Sequence, residues 1–163
     1  SDQVIETQFI WAPFLYGFIP TDRTNLAPST IKNSIRALKN GEVLGVFPEG
    51  TSLSNVLRPA KNGAAFLSAT GKTRLLPIGI TGLENAWKMM FRGVRSSVYI
   101  RIGKPFGPFT LSKSKNDKER DLNDIGSEIM CRVAALLPED IHGSFKHNNT
   151  INDYRKKNGL PDF

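Results

Sequence analysis

The sequence predicts an α/β fold: a mixed sheet flanked by helices. Three observations predict it. Two stretches carry apolar residues at helical spacing, several short apolar runs have strand length, and Gly and Pro punctuate the junctions. With 163 residues, 39% of them hydrophobic, the chain suits one domain around one core.

The first helix is expected over Thr30–Lys39. Ser29 is placed to cap it, Ile31, Ile35 and Leu38 share one face, and Gly41 stops it. Glu42–Phe47 follows as an apolar run of interior-strand character, then meets the polar turn Pro48-Glu49-Gly50-Thr51. Ligands of open α/β sheets gather at such strand ends. Gly63–Ala69 reads as a small-residue helix for close packing on a sheet, ended by Gly71. Leu75–Ile80 is a second apolar strand, interrupted by Pro77. After a basic turn at Arg92–Arg95, residues 97–102 alternate with period two: Val98, Ile100 and Ile102 on one side, Tyr99 and Arg101 on the other. Residues 112–120 read as a polar linker, and Asp124–Leu137 as an amphipathic helix with Ile125, Ile129, Val133 and Leu136 on one face, terminated by Pro138. Residues 1–140 are assigned to the domain, and 141–163 to a polar tail of partial order.

Composition narrows the function classes. Cys131 is the only cysteine, which excludes an intrachain disulfide and a cysteine metal cluster; its apolar neighbours make it a core residue. No metal site and no bound cofactor are expected. The net charge is +7 and the pI about 9.7, which favours an anionic partner. No nucleic-acid-binding motif accompanies the charge, so a nucleic acid is not the expected partner. Trp87, Met89, Met90 and Phe91 precede Arg92 and Arg95, a composition suited to a bilayer interface or to ordinary helix packing. Phe9, Trp11, Phe14, Leu15, Tyr16 and Phe18 form an apolar cluster read as core or as the lining of an apolar tunnel rather than as exposed surface. No apolar run reaches the roughly 18 residues of a spanning helix. The opening residues carry neither Met nor signal-peptide features, and the expectation is that earlier elements of the domain lie outside the chain.

The segment richest in chemistry is Val46-Phe47-Pro48-Glu49-Gly50-Thr51. Pro and Gly force a sharp turn after an apolar run, exposing Glu49 and leaving backbone N–H groups near Thr51 free for an oxyanion or phosphate. Taken alone, it reads equally well as a structural turn with a solvated Glu.

Phe47-Pro48-Glu49-Gly50-Thr51 resembles the Phe-Pro-Glu-Gly-Thr block of the glycerol-phosphate and lysophosphatidic-acid acyltransferases, and other segments match that family in order. Residues 17–23, Gly-Phe-Ile-Pro-Thr-Asp-Arg, resemble its earlier block. Residues 58–65 resemble the link into a small-residue helix. Leu76-Pro77-Ile78-Gly79-Ile80 resembles its Val-Pro-Val block, and Arg101-Ile102-Gly103-Lys104-Pro105-Phe106 its closing strand and turn.

The resemblance implies a glycerol-phosphate acyltransferase-like fold lacking its first elements. It also implies transfer of a fatty acyl group from acyl-CoA or acyl carrier protein, as co-substrate, to a lysophosphatidic-acid-like acceptor. Arg23 matches the arginine that grips the acceptor phosphate, a task suited to guanidinium geometry. Glu49, Gly50 and Thr51 match the second substrate-binding block. Many members carry Arg directly after the Thr; here that position is Ser52, and Arg58 and Lys61 are the nearest substitutes. The family's base is a His-x-x-x-x-Asp block. His142 and His147 are the only histidines, neither has Asp five residues on, and both are read as surface residues, so no catalytic residue is assigned. The expected place of action is the cytoplasmic face of a membrane, peripheral or anchored. The alternative is a catalytically inactive lipid- or phosphate-binding member of the same fold.

Overall fold

A computed structural model describes Ile19 and residues 28–50, 56–83 and 86–159, without the side chain of Trp87. The chain divides into two compact units, Ser1–Leu44 and Gly45–Phe163.

The regular element described in the first unit is helix α1, Pro28–Lys39. It begins at Pro28, one residue before the expected cap, as a proline fits the first helical turn. Thr30 and Ser34 are its buried residues, while Ile31, Ile35 and Leu38 are half-buried. Gly41 stops it as expected. The Gly41 N–H donates to the Leu38 carbonyl and the Glu42 N–H to Ala37, each at 3.1 Å, with Gly41 at φ +83°. This double closure is the Schellman cap, which needs a left-handed residue at the glycine. Residues 42–47 form no strand, against expectation, and Val43 and Phe47 are 98% and 87% exposed. An apolar run becomes a strand only where a neighbour takes up its main-chain groups, and no described segment does so here.

The second unit is built on a long helix, α4. Helix α2 is Gly63–Gly71, strand β1 Ile78–Thr81, helix α3 Ala86–Phe91, strand β2 Tyr99–Ile102, α4 Lys115–Ala134 and α5 Thr150–Asn158. The strands are antiparallel, Ile78 opposite Ile102 and Ile80 opposite Ile100; no parallel pairing occurs among the described residues, so the mixed sheet is reduced to one hairpin-like pair. Beyond Pro77, which has no N–H to give, pairing resumes at Leu75 and Phe106 through bonds of 2.9 and 3.0 Å.

The period-two alternation holds, but its apolar side is open. Gly79 lies against Leu136 so tightly that a Cβ there would sit 2.9 Å from Leu136 Cβ. The sheet thus meets the end of α4 through its glycine, and Ile78, Ile80, Ile100 and Ile102 are exposed on the opposite face.

Helix α4 starts nine residues before the expected Asp124. Residues expected as a linker extend it, because Lys, Glu and Arg are good helix formers and Asp117 favours a helix N-terminus. Hydrogen bonds from Ser112 hold the Asp121 carboxyl below the usual carboxylate range and tie the preceding chain to the first turns. Two faces of α4 are buried. Ile125 and Ile129 pack with Ala64, Ala65 and Phe106. Met130, Cys131, Ala134, Ala135 and Leu137 pack with Leu57 and Ile151. Cys131 is buried as expected, and burial pushes its thiol pKa up.

The stretch read as a loosely ordered tail is instead part of this core. Ile151 is 3% exposed and the Arg155 side chain is buried. His142 is also buried at 2% exposed, correcting its reading as a surface residue, and its Nε2–H donates to the Leu137 carbonyl at 3.0 Å. The sequence from His142 onward is polar and weakly patterned, and a buried arginine and histidine stand among its packed residues.

Arg132 joins the hairpin to α5. Its guanidinium lies 4.2 Å from the Phe106 ring centroid and 4.3 Å from that of Tyr154, and it donates to Glu128 at 2.7 and 2.9 Å. Burial, then the Glu128 charge, pushes the Tyr154 phenol pKa up. Two such cation–π faces contribute about 1–2 kcal/mol together. Arg132→Ala is expected to lower the unfolding free energy by that amount. Arg132→Lys should recover less than half, because an ammonium cannot stack between two rings. Urea denaturation of both variants checks this; equal stability of Lys and Arg would show that charge alone matters.

Candidate functional site

The turn after Phe47 gathers four of the six residues singled out in the sequence. The Gly50 N–H closes it onto the Phe47 carbonyl at 3.1 Å, with Gly50 at φ +73°. A second strand of chain is fastened across it. The Lys61 N–H donates to the Pro48 carbonyl at 2.8 Å, and the Arg58 N–H to Glu49 Oε2 at 3.2 Å. The stem of Lys61 runs beside Gly50, where a Cβ would meet Lys61 Cδ at 2.9 Å. Glycine is favoured here by the left-handed backbone, while the exposed lysine stem can shift aside for a Cβ.

Glu49, half-buried, gives one oxygen to this backbone bond, so it shapes the turn as well as offering its remaining lone pairs. Arg58 and Lys61 are exposed, and neither makes an ion pair with a described residue. Two cations without an ion pair among the described residues, beside a turn with a left-handed glycine, form an electropositive edge suited to an anion. Residue spacing had suggested Arg58 and Lys61 as substitutes; the backbone fastening that brings them to the turn was not visible in it.

Arg23 and Thr51 lie outside the described residues, as do Ser52 and the aromatic cluster at residues 9–18. His147 is exposed, and His142 is turned into the core onto a carbonyl. Among the described residues no group of acids, His and Cys is placed to hold a metal ion. Among them, too, no helix is long and apolar enough to cross a membrane.

Comparison with known proteins places this site within a matched region. A family model described as Acyltransferase matches residues 4–81, a span holding Arg23, Glu49, Gly50, Thr51, Arg58 and Lys61. The chain is 37% identical over 86 residues to a Bacillus subtilis (strain 168) 1-acyl-sn-glycerol-3-phosphate acyltransferase, covering 53% of this chain and 41% of that protein. It is 31% identical over 133 residues to the protein of the same name from Streptococcus pneumoniae (strain ATCC BAA-255 / R6), covering 80% of this chain and 47% of that protein. The chain thus spans less than half the length of either relative. No solved structure matches it.

Proposed function

We infer that the chain belongs to the acyltransferase family, and from that premise we propose that it forms the acceptor-binding part of an enzyme of phospholipid biosynthesis, a 1-acylglycerol-3-phosphate acyltransferase. In that reaction the free hydroxyl of a lysophosphatidic-acid-like acceptor attacks the carbonyl carbon of an acyl thioester, acyl-CoA or acyl-carrier-protein bound. The new ester C–O bond forms, the C–S bond breaks, the thiolate leaves and the hydroxyl proton passes to a base. A His/Asp pair supplies that base in our reading, and this chain contributes none: its 163 residues contain no His-x-x-x-x-Asp. The acceptor lies at a membrane surface, on its cytoplasmic face.

The observation that carries the reading is the fastened turn, which sets Lys61 and Arg58 beside Glu49 and Gly50. These two cations would hold the acceptor phosphate, with the turn's N–H groups adding donors; Arg23 and Thr51 enter this reading through the family resemblance alone. No metal and no resident cofactor are needed for acyl transfer of this kind.

The test is acyl transfer by the whole protein. Charge-assisted contacts of about 1.5–3 kcal/mol predict that Arg23→Ala lowers kcat/KM for the phosphorylated acceptor by about tenfold to a hundredfold. Lys61→Ala should cost about tenfold, with a dephosphorylated acceptor nearly indifferent to either change. The 163-residue chain alone should turn over no substrate. Turnover by the chain alone, or equal losses with and without the acceptor phosphate, would overturn this assignment. Phosphate-sensitive binding without turnover in the whole protein would point instead to an inactive lipid-binding member.

A further inference from the structure

The cations of the chain are unevenly placed. Residues 50–116 hold eleven Lys and Arg against one acid, Glu84, whereas the remainder hold eleven against fourteen acids. Twelve of the fifteen large apolar side chains exposed among the described residues fall in the same span.

Charge and exposed apolar surface coincide on the connection between β1 and β2, residues 82–98. Met90, Phe91 and Val94 are exposed, Phe91 to 83%, and Lys88, Arg92 and Arg95 stand exposed among them. No ion pair among the described residues involves these three cations, and after Glu84 no acid occurs until Asp117. The element is built rather than loose. At the end of α3 the Gly93 N–H donates to Met90 O at 3.0 Å and the Val94 N–H to Met89 O at 2.9 Å, with Gly93 at φ +70°, a second Schellman cap. The ends of the connection are tied by Ser96 Oγ–H donating to the Gly82 carbonyl at 2.8 Å. None of the other described helices packs broadly on α3.

We propose that residues 82–98 dock on an anionic lipid surface. Phe91, Met90 and Val94 enter the boundary between headgroups and acyl chains, and Lys88, Arg92 and Arg95 pair with lipid phosphates. This deepens the membrane-surface part of the function proposed above. A second copy is disfavoured, since it would set these cations against each other. A nucleic acid would use the charge, but Met90 and Val94 gain nothing against a hydrated sugar–phosphate backbone.

Sedimentation of the protein with phosphatidylcholine vesicles, with and without phosphatidylglycerol, tests the docking. Binding is expected to be at least tenfold tighter to the anionic vesicles and to weaken with salt. Each headgroup-facing cation contributes about fivefold, so Arg92→Glu with Arg95→Glu should cost about 25-fold or more. Phe91→Ser should cost about tenfold with the salt dependence unchanged. Equal binding to both vesicles, variants that bind like the parent, or tighter binding to a DNA duplex at the same salt would each overturn the proposal. Acyl transfer to detergent-dispersed acceptor separates the two readings. Variants that keep this rate but lose it on vesicles support docking. A whole protein inactive with both acceptors refutes the enzyme while vesicle binding still decides the surface.

Discussion

Gly143→Ala is expected to lower the unfolding free energy by about 2–5 kcal/mol. Gly143 sits at φ +55°, a left-handed conformation that costs a residue with a Cβ about 1–2 kcal/mol. The larger cost is contact. A Cβ there would run into the Leu57 carbonyl oxygen, which is main chain and cannot swing aside. Relief requires the Leu57 segment to move, and Leu57 is a member of the core cluster, held by its N–H donating to the Ile141 carbonyl at 2.8 Å. Overpacking of this kind adds about 1–3 kcal/mol. Urea denaturation followed by far-UV circular dichroism reads the effect. A midpoint within error of the parent would mean that the Leu57 segment yields freely.

Arg155→Met is expected to cost about 2–4 kcal/mol even though methionine fills much of the same space. Arg155 is 6% exposed; its Nη2–H donates to the Leu137 carbonyl at 2.8 Å and its Nη1 lies 3.5 Å from Glu139 Oε1. The Leu137 carbonyl, just past the end of α4, also accepts from His142 Nε2. Removing the charged donor takes a strong bond from a buried acceptor at a helix C-terminus, where positive charge is favoured. The exposed Glu139 partner contributes little of this. The same denaturation series decides it. If Arg155→Met were as stable as the parent, the bond would be replaceable by apolar packing, as happens for some buried ion pairs.

Both residues fall in the stretch that sequence reading set aside as a tail, and the reason is physical. Apolar periodicity detects helices that bury apolar side chains, and Ile125 and Ile129 made α4 legible on that ground. Helix α5 buries Ile151 and Arg155, an apolar residue and a cation four positions apart, a pattern that also describes a solvated helix. The early start of α4 was missed for the opposite reason. Its first turns are charged and exposed, so they carry helix propensity without periodicity. Gly41 was read correctly, because a backbone rule rather than packing decides it; α4 ends at Ala134, three residues before the expected Leu137, so Pro138 is not what stops it. The Glu42–Phe47 run shows the limit of apolar content: strand character belongs to a pair of segments, and one sequence segment does not reveal its partner. At the candidate site, Gly50 was legible from its residue type. The Glu49 bond to the Arg58 N–H joins residues nine apart through chain outside the described residues, and no spacing rule announces it.

The placing of Arg132 between Phe106 and Tyr154 has a kinetic consequence. One ring comes from the hairpin end, the other from α5, and neither is a near neighbour of Arg132 in sequence. The slot closes only after both elements have docked on α4, so its energy arrives after most surface is already buried. Interactions completed that late leave the folding rate nearly untouched and slow unfolding instead. The stacked guanidinium therefore lengthens the lifetime of the folded unit more than it hastens its formation.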